Sequence, residues 1–152
     1  MKEMSNYQEL TISIFKDIIE KYNFESVKIN ENSIALVGNK FAIVIVISRE
    51  GTTLKYVMED GQGEIVEYKF DSFISSKFDS NDRVGIDNPV TINDIIVAEL
   101  RISAKGLVNH WQNVLNGDKK WISEYESYEL GGKAEIVNSV MKTVLAPLLN
   151  KK

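Results

Sequence analysis

The segment Phe41-Ala-Ile-Val-Ile-Val-Ile47 constrains this chain more than any other stretch. It is seven apolar residues long, far too short to span a bilayer. Its β-branched residues pack poorly on a helix and well on a pleated surface. Such a run predicts a central strand buried on both faces. Around it lie shorter runs with strand character: Ser26–Ile29, Ser33–Val37, Thr52–Met58 and Glu64–Phe70. In the third of these Leu54, Tyr56 and Met58 alternate with Lys55, the period-two pattern of a strand. The connections Asn30–Asn32, Ser48–Gly51 and Glu59–Gly63 are short and polar, which implies antiparallel hairpins rather than parallel crossovers.

Helical periodicity flanks this region. Leu10, Ile14, Ile18 and Tyr22 recur every four residues, with Phe15 and Ile19 widening the stripe and Asn23 as the stop. After Pro89, Thr91 and Asp94 have the spacing of a capping box. Apolar residues from Ile92 to Leu115 then describe a long helix with a bend expected at Gly106. Asn116-Gly117 ends it, and Asp118 caps a shorter helix running to about Tyr128. Gly131-Gly132 breaks the chain, and a last helix is expected from Lys133 or Ala134 until Pro147 ends its regular part. No linker or repeat divides residues 1–152. The expected fold is one α+β domain: an N-terminal helix, a four- to five-stranded mainly antiparallel sheet, and C-terminal helices packed on one face.

Composition narrows function mainly by exclusion. The chain has no cysteine, which removes disulfides, thiolate metal sites and cysteine nucleophiles. Its net charge of −4 argues against general nucleic-acid binding, which needs a basic face. The N-terminal residues lack the apolar run of a signal peptide, so a cytoplasmic location with no membrane partner is expected.

The one histidine, His110, lies beside Trp111 and close to Trp121 in sequence. A catalytic reading makes His110 a general base oriented by Asp118. No serine, cysteine or second acid has a spacing that nominates it as His110's partner, so the stretch reads as a joint between two helices. Asp79, Asp82 and Asp87 share a loop, but Arg83 and Val84 stand where a calcium loop requires an oxygen ligand and glycine. Gly61-Gln-Gly63 is followed by neither the third glycine nor the helix of a dinucleotide fingerprint. No catalytic residue, metal ligand or cofactor is therefore expected. The site-level expectation is an acidic rim for a basic protein partner, made of Glu59, Asp60, Glu64 and Glu67 on one hairpin with Asp79 and Asp82 from the following loop.

The order of elements also carries a resemblance. A helix ending in Tyr22-Asn-Phe24 is followed by the strand Phe41–Ile47 with its hairpin. Later comes a helix ending in Leu115-Asn-Gly-Asp-Lys-Lys-Trp121-Ile-Ser-Glu-Tyr125. This layout resembles the small, divergent cytoplasmic immunity proteins that accompany bacterial polymorphic and contact-dependent toxins. The resemblance implies an acidic α+β domain that binds a cognate toxin domain and blocks its active site without chemistry of its own. Two alternatives stay open: a secretion-chaperone-like protein that binds an effector, and a small-ligand-binding domain with Phe41, Tyr56, Tyr68 and Trp111 lining a pocket.

Overall fold

The 41–47 run lies in the third strand of an antiparallel meander. The structure, a computed structural model, describes residues 2–48, 51–86, 88–128 and 134–149, with side chains from residue 7 onward. Strands β1 (Glu25–Asn30), β2 (Ser33–Val37), β3 (Phe41–Ser48), β4 (Gly51–Glu59), β5 (Ile65–Lys69) and β6 (Glu135–Ile136) follow one another across a single sheet in sequence order. Every neighbouring pair is antiparallel. Six strands rather than four or five result because residues 135 and 136, expected in a helix, pair with Glu67 and Val66. The Gly131-Gly132 break and Lys133 lie outside the described residues.

Alternation along the strands builds two cores. Ile34, Leu36, Ile43, Ile45, Leu54, Tyr56, Val66 and Tyr68 face one side, and Ala35, Val37, Ala42, Val44, Val57 and Ile65 face the other. Helices α1 (Lys2–Ile14), α2 (Lys16–Lys21), α3 (Asp71–Ser75), α4 (Ile92–His110), α5 (Gln112–Leu115) and α6 (Trp121–Ser127) lie on the first side. They add Ile18, Phe73, Leu100, Leu107, Val114 and Trp121 to that core. Helix α7 (Ser139–Leu149) covers the second face with Met141, Leu145 and Leu149. The C-terminal helices therefore divide between the two faces. The cause is β3 itself: a strand apolar on both sides needs cover on both, and each large aliphatic side chain left in water forfeits about 1.5–3 kcal/mol.

Several local expectations hold and several shift. The N-terminal stripe forms, with a hitch at buried Phe15 between α1 and α2, and Asn23 takes the left-handed conformation that stops the helix (φ 56°). Thr91 and Asp94 exchange both bonds of a capping box at the start of α4. No bend occurs at Gly106. A Cβ there would stand 2.1 Å from a ring carbon of Phe78, so glycine serves a close ring-to-backbone contact. The break comes instead at Trp111, which separates α4 from α5. Asp118 accepts from the Lys120 backbone N–H at 2.8 Å, making the turn that leads into α6. The last helix starts at Ser139, where Asn138 Oδ1 accepts from Met141 N at 2.8 Å, and runs through Pro147 to Leu149.

Candidate functional site

Three of the four acids on the β4–β5 hairpin reach solvent. Asp60 Oδ1 accepts from the backbone N–H groups of Gln62 (2.8 Å) and Glu64 (3.0 Å), so the carboxylate also shapes the turn. Glu59 and Glu64 are half-buried, and Glu64 lies 3.9 Å from Lys142 of α7 across an exposed gap. Glu67 departs from the expected rim. It is 7% exposed and sits 3.1 Å from Lys55, on the same face as Ile65 and Val57. Its carboxylate is spent on that pair. The fold adds acids that sequence distance concealed: Glu126 of α6 acts with Asp60 on Tyr68, and Glu135 of β6 acts with Asp71 on Tyr125. Burial foremost, and then these charges, raise both phenols above their ordinary range.

Asp79 and Asp82 belong to a different place. Residues Ser80–Arg83 form a 3-10 turn capped reciprocally by Asp79 and Asp82, and the turn packs on α4. Asp82 is fully buried, so it cannot present its carboxylate to a partner. Its Oδ1 accepts from Asn109 Nδ2 at 2.7 Å. Its Oδ2 accepts from Asp79 N at 2.8 Å and lies 3.0 Å from His110 Nε2. Burial alone would raise this carboxyl's pKa. The bonds from Asn109, the Asp79 backbone and His110 outweigh it and hold the group below its ordinary value. His110 thus has Asp82, not Asp118, against its ring nitrogen, with Asp79 Oδ2 at 3.8 Å and Phe78 stacked on its face. Twenty-eight residues separate Asp82 from His110, and no sequence periodicity links them. The Asp79–Asp82 capping-box spacing was the one available signal.

A groove runs along α4. Its larger part, about 490 Å³, is bounded by Ile14, Asp17, Ile86, Arg101, Lys105 and Asn109. A second recess of about 390 Å³ continues it past Asn88, Asp94 and Val97, sharing Gly85, Ile86 and Arg101. Lys105 Nζ donates to the Val84 carbonyl and ties the 84–86 loop to the helix. In the loop before α4 and in the helix's first turn the chain leaves apolar side chains in water: Val84 is 63% exposed, Val90 87%, Ile92 57% and Ile95 43%.

The tryptophan stretch is structural. Trp111 Nε1 donates to the Ile74 carbonyl at 2.9 Å, and Trp121 packs among Tyr56, Tyr68, Phe70, Phe73 and Tyr125. Phe41 stacks on Tyr56 at 5.3 Å, and Trp111 meets Phe73 at 5.2 Å. The four aromatics expected to line a ligand pocket, Phe41, Tyr56, Tyr68 and Trp111, are buried against other rings. No protein-family model matches the chain, and neither a curated protein nor a solved structure is detectably similar to it. Among the described residues no helix is long and apolar enough to cross a membrane.

Proposed function

We propose that this chain is a non-catalytic cytoplasmic protein that neutralises a cognate bacterial toxin domain by binding and occluding it. The observation that supports a binding role is the concentration of exposed apolar residues. Of seven large apolar side chains exposed among the described residues, Val84, Val90, Ile92 and Ile95 fall within one loop and the first turn of α4. Scattered apolar residues are ordinary on a surface, whereas a grouped set with a polar border marks a contact site. Asn88, Asp94 and Arg101, from the same loop and helix, line the adjoining recess and place polar groups near the set in sequence. Glu59, Asp60 and Glu64 add a negative field that would draw in a basic partner before contact. The toxin assignment rests on the resemblance of the sequence layout to immunity proteins.

The two surfaces make separable predictions. Ile92→Asp combined with Ile95→Asp should accelerate dissociation and weaken binding by at least about tenfold, as expected for residues at an interface centre. Reversing Glu59 and Glu64 to lysine should instead slow association, with an effect that fades as salt rises, and Asp60 is kept because its carboxylate shapes the turn. Glu67 is left out of that variant because its buried pair with Lys55 makes it part of the fold. The test begins with tagged protein in its native bacterium and one-to-one retention of a single polypeptide. Production of the retained domain should stop cell growth, and co-production of the wild-type chain should restore it. A retained domain that is harmless to cells would refute toxin neutralisation. Retention unchanged by the double aspartate variant would remove the α4 surface.

A further inference from the structure

The cluster at the end of α4 has a chemistry that the binding role does not use. Among the described residues, Asp79, Asp82 and His110 form the one group of three such side chains whose donor atoms converge, all within 4.8 Å of one another. We propose that they form a site for one divalent cation of the borderline class typified by zinc.

Four observations carry this. First, the donor set is mixed, two carboxylates and an imidazole, which suits zinc and its neighbours rather than calcium, whose sites are built from oxygen alone. Second, the separations fit. With bonds of about 2.1 Å, two donors on one tetrahedral ion stand about 3.4 Å apart, and the two separations from the imidazole lie on either side of that value. His110 Nε2 lies 3.0 Å from Asp82 Oδ2 and 3.8 Å from Asp79 Oδ2. The second distance is too long for a hydrogen bond. Third, Asp79 keeps that oxygen turned towards the imidazole while its Oδ1 accepts from Asn81 N at 2.9 Å. Fourth, His110 is the last residue of a 19-residue helix, where the free carbonyl ends favour positive charge.

The side chains around the site are held in place independently. Asn109 donates to the Asp82 oxygen that faces away from His110, and the capping box fixes both carboxylates on one side of the turn. Such outer contacts orient ligands before an ion arrives. On binding, the imidazole gives up any proton on Nε2 and coordinates through that nitrogen, so acid should compete with the metal. Asp82 is buried and Asp79 half exposed, so open positions on the ion would point towards solvent on the Asp79 side. A bound ion would also lock the 79–83 turn to α4 beside Asn109, one wall of the groove.

The test uses full-length, tag-free protein stripped with chelator and titrated with zinc, magnesium or calcium. Because the chain has one histidine, its ring protons give one unambiguous pair of magnetic-resonance signals. Zinc should saturate one site per chain, raise the melting temperature and shift both ring signals. Magnesium and calcium at equal concentration should do none of these. His110→Gln and Asp79→Asn keep hydrogen-bonding capacity, and each should weaken zinc binding at least about tenfold with unchanged far-ultraviolet dichroism. Absence of saturable zinc binding at millimolar metal would overturn the site. So would zinc binding that leaves the His110 signals unmoved, or that persists undiminished in both variants.

Discussion

Replacing Trp121 with alanine is expected to destabilise the protein by about 3–5 kcal/mol, the cost of deleting a large aromatic from a packed core. The indole is 2% exposed and ringed by Tyr56 at 4.8 Å, Phe70 at 5.3 Å and Tyr68 at 5.5 Å. These partners come from β4, β5 and the residue after β5, so the cavity would open where α6 meets the sheet. A domain of this size has about 5–15 kcal/mol in hand, and the loss would consume a large share of it. Trp121→Phe is expected to cost much less. It keeps most of the ring contact and deletes a buried Nε1–H that has no hydrogen-bond partner among the described residues. Urea unfolding followed by far-ultraviolet dichroism reads both variants. A Trp121→Ala protein as stable as wild type but unable to bind a partner would show that the stretch is a recognition element instead of a joint.

The second large effect is at Asp82. Asp82→Ala should cost about 1–3 kcal/mol at neutral pH, because it strands donors that now share one buried carboxylate. Those donors are Asn109 Nδ2, the Asp79 backbone N–H and His110. The pH dependence has a definite sign. The folded-state pKa of Asp82 lies below the ordinary 3.8, so its contribution is complete above that value and drains away as pH falls through the lower, folded one. The gap between wild type and Asp82→Ala should therefore narrow in strong acid. Unfolding in chelator, at pH 7 and again below pH 4, keeps this measurement separate from any bound metal. A gap at pH 7 under about 1 kcal/mol, the scale of an exposed ion pair, would mean that the cluster is not the clamp its geometry describes.

The strands were legible because their signal is local. Ser33–Val37 was read with the observed bounds, and Phe41–Ile47 lacks only Ser48, since branching and alternation are written into adjacent residues. The same alternation also held a warning about Glu67. It shares a face of β5 with Ile65, opposite Val66 and Tyr68, and that face turns out to be the one α7 covers. The β6 error had another cause. Ile136, Val137 and Val140 fit a helical stripe, but Val137 N donates to Ile65 O, and the open edge of β5 claims the segment first. Pro147 lacks the N–H that a helix interior uses, which predicts a stop, yet the helix runs through it to Leu149. The Asp82–His110 contact was beyond reach, because only the docking of the 79–83 turn against α4 brings the two together.

The late return of the chain also sets an order of events during synthesis. Strands β1 to β5 can pair in turn as they emerge, since each meets the one just made. The face built from Ala35, Val37, Ala42, Val44, Val57 and Ile65 cannot be closed then. Its cover is Val137, Met141, Leu145 and Leu149, which are translated 72 to 84 residues after Ile65. At ribosomal speeds of about 5–20 residues per second, the nascent sheet carries one bare hydrophobic side for several seconds. That interval is when the polypeptide would most depend on a holdase, and when a neighbouring nascent sheet would most readily stick to it.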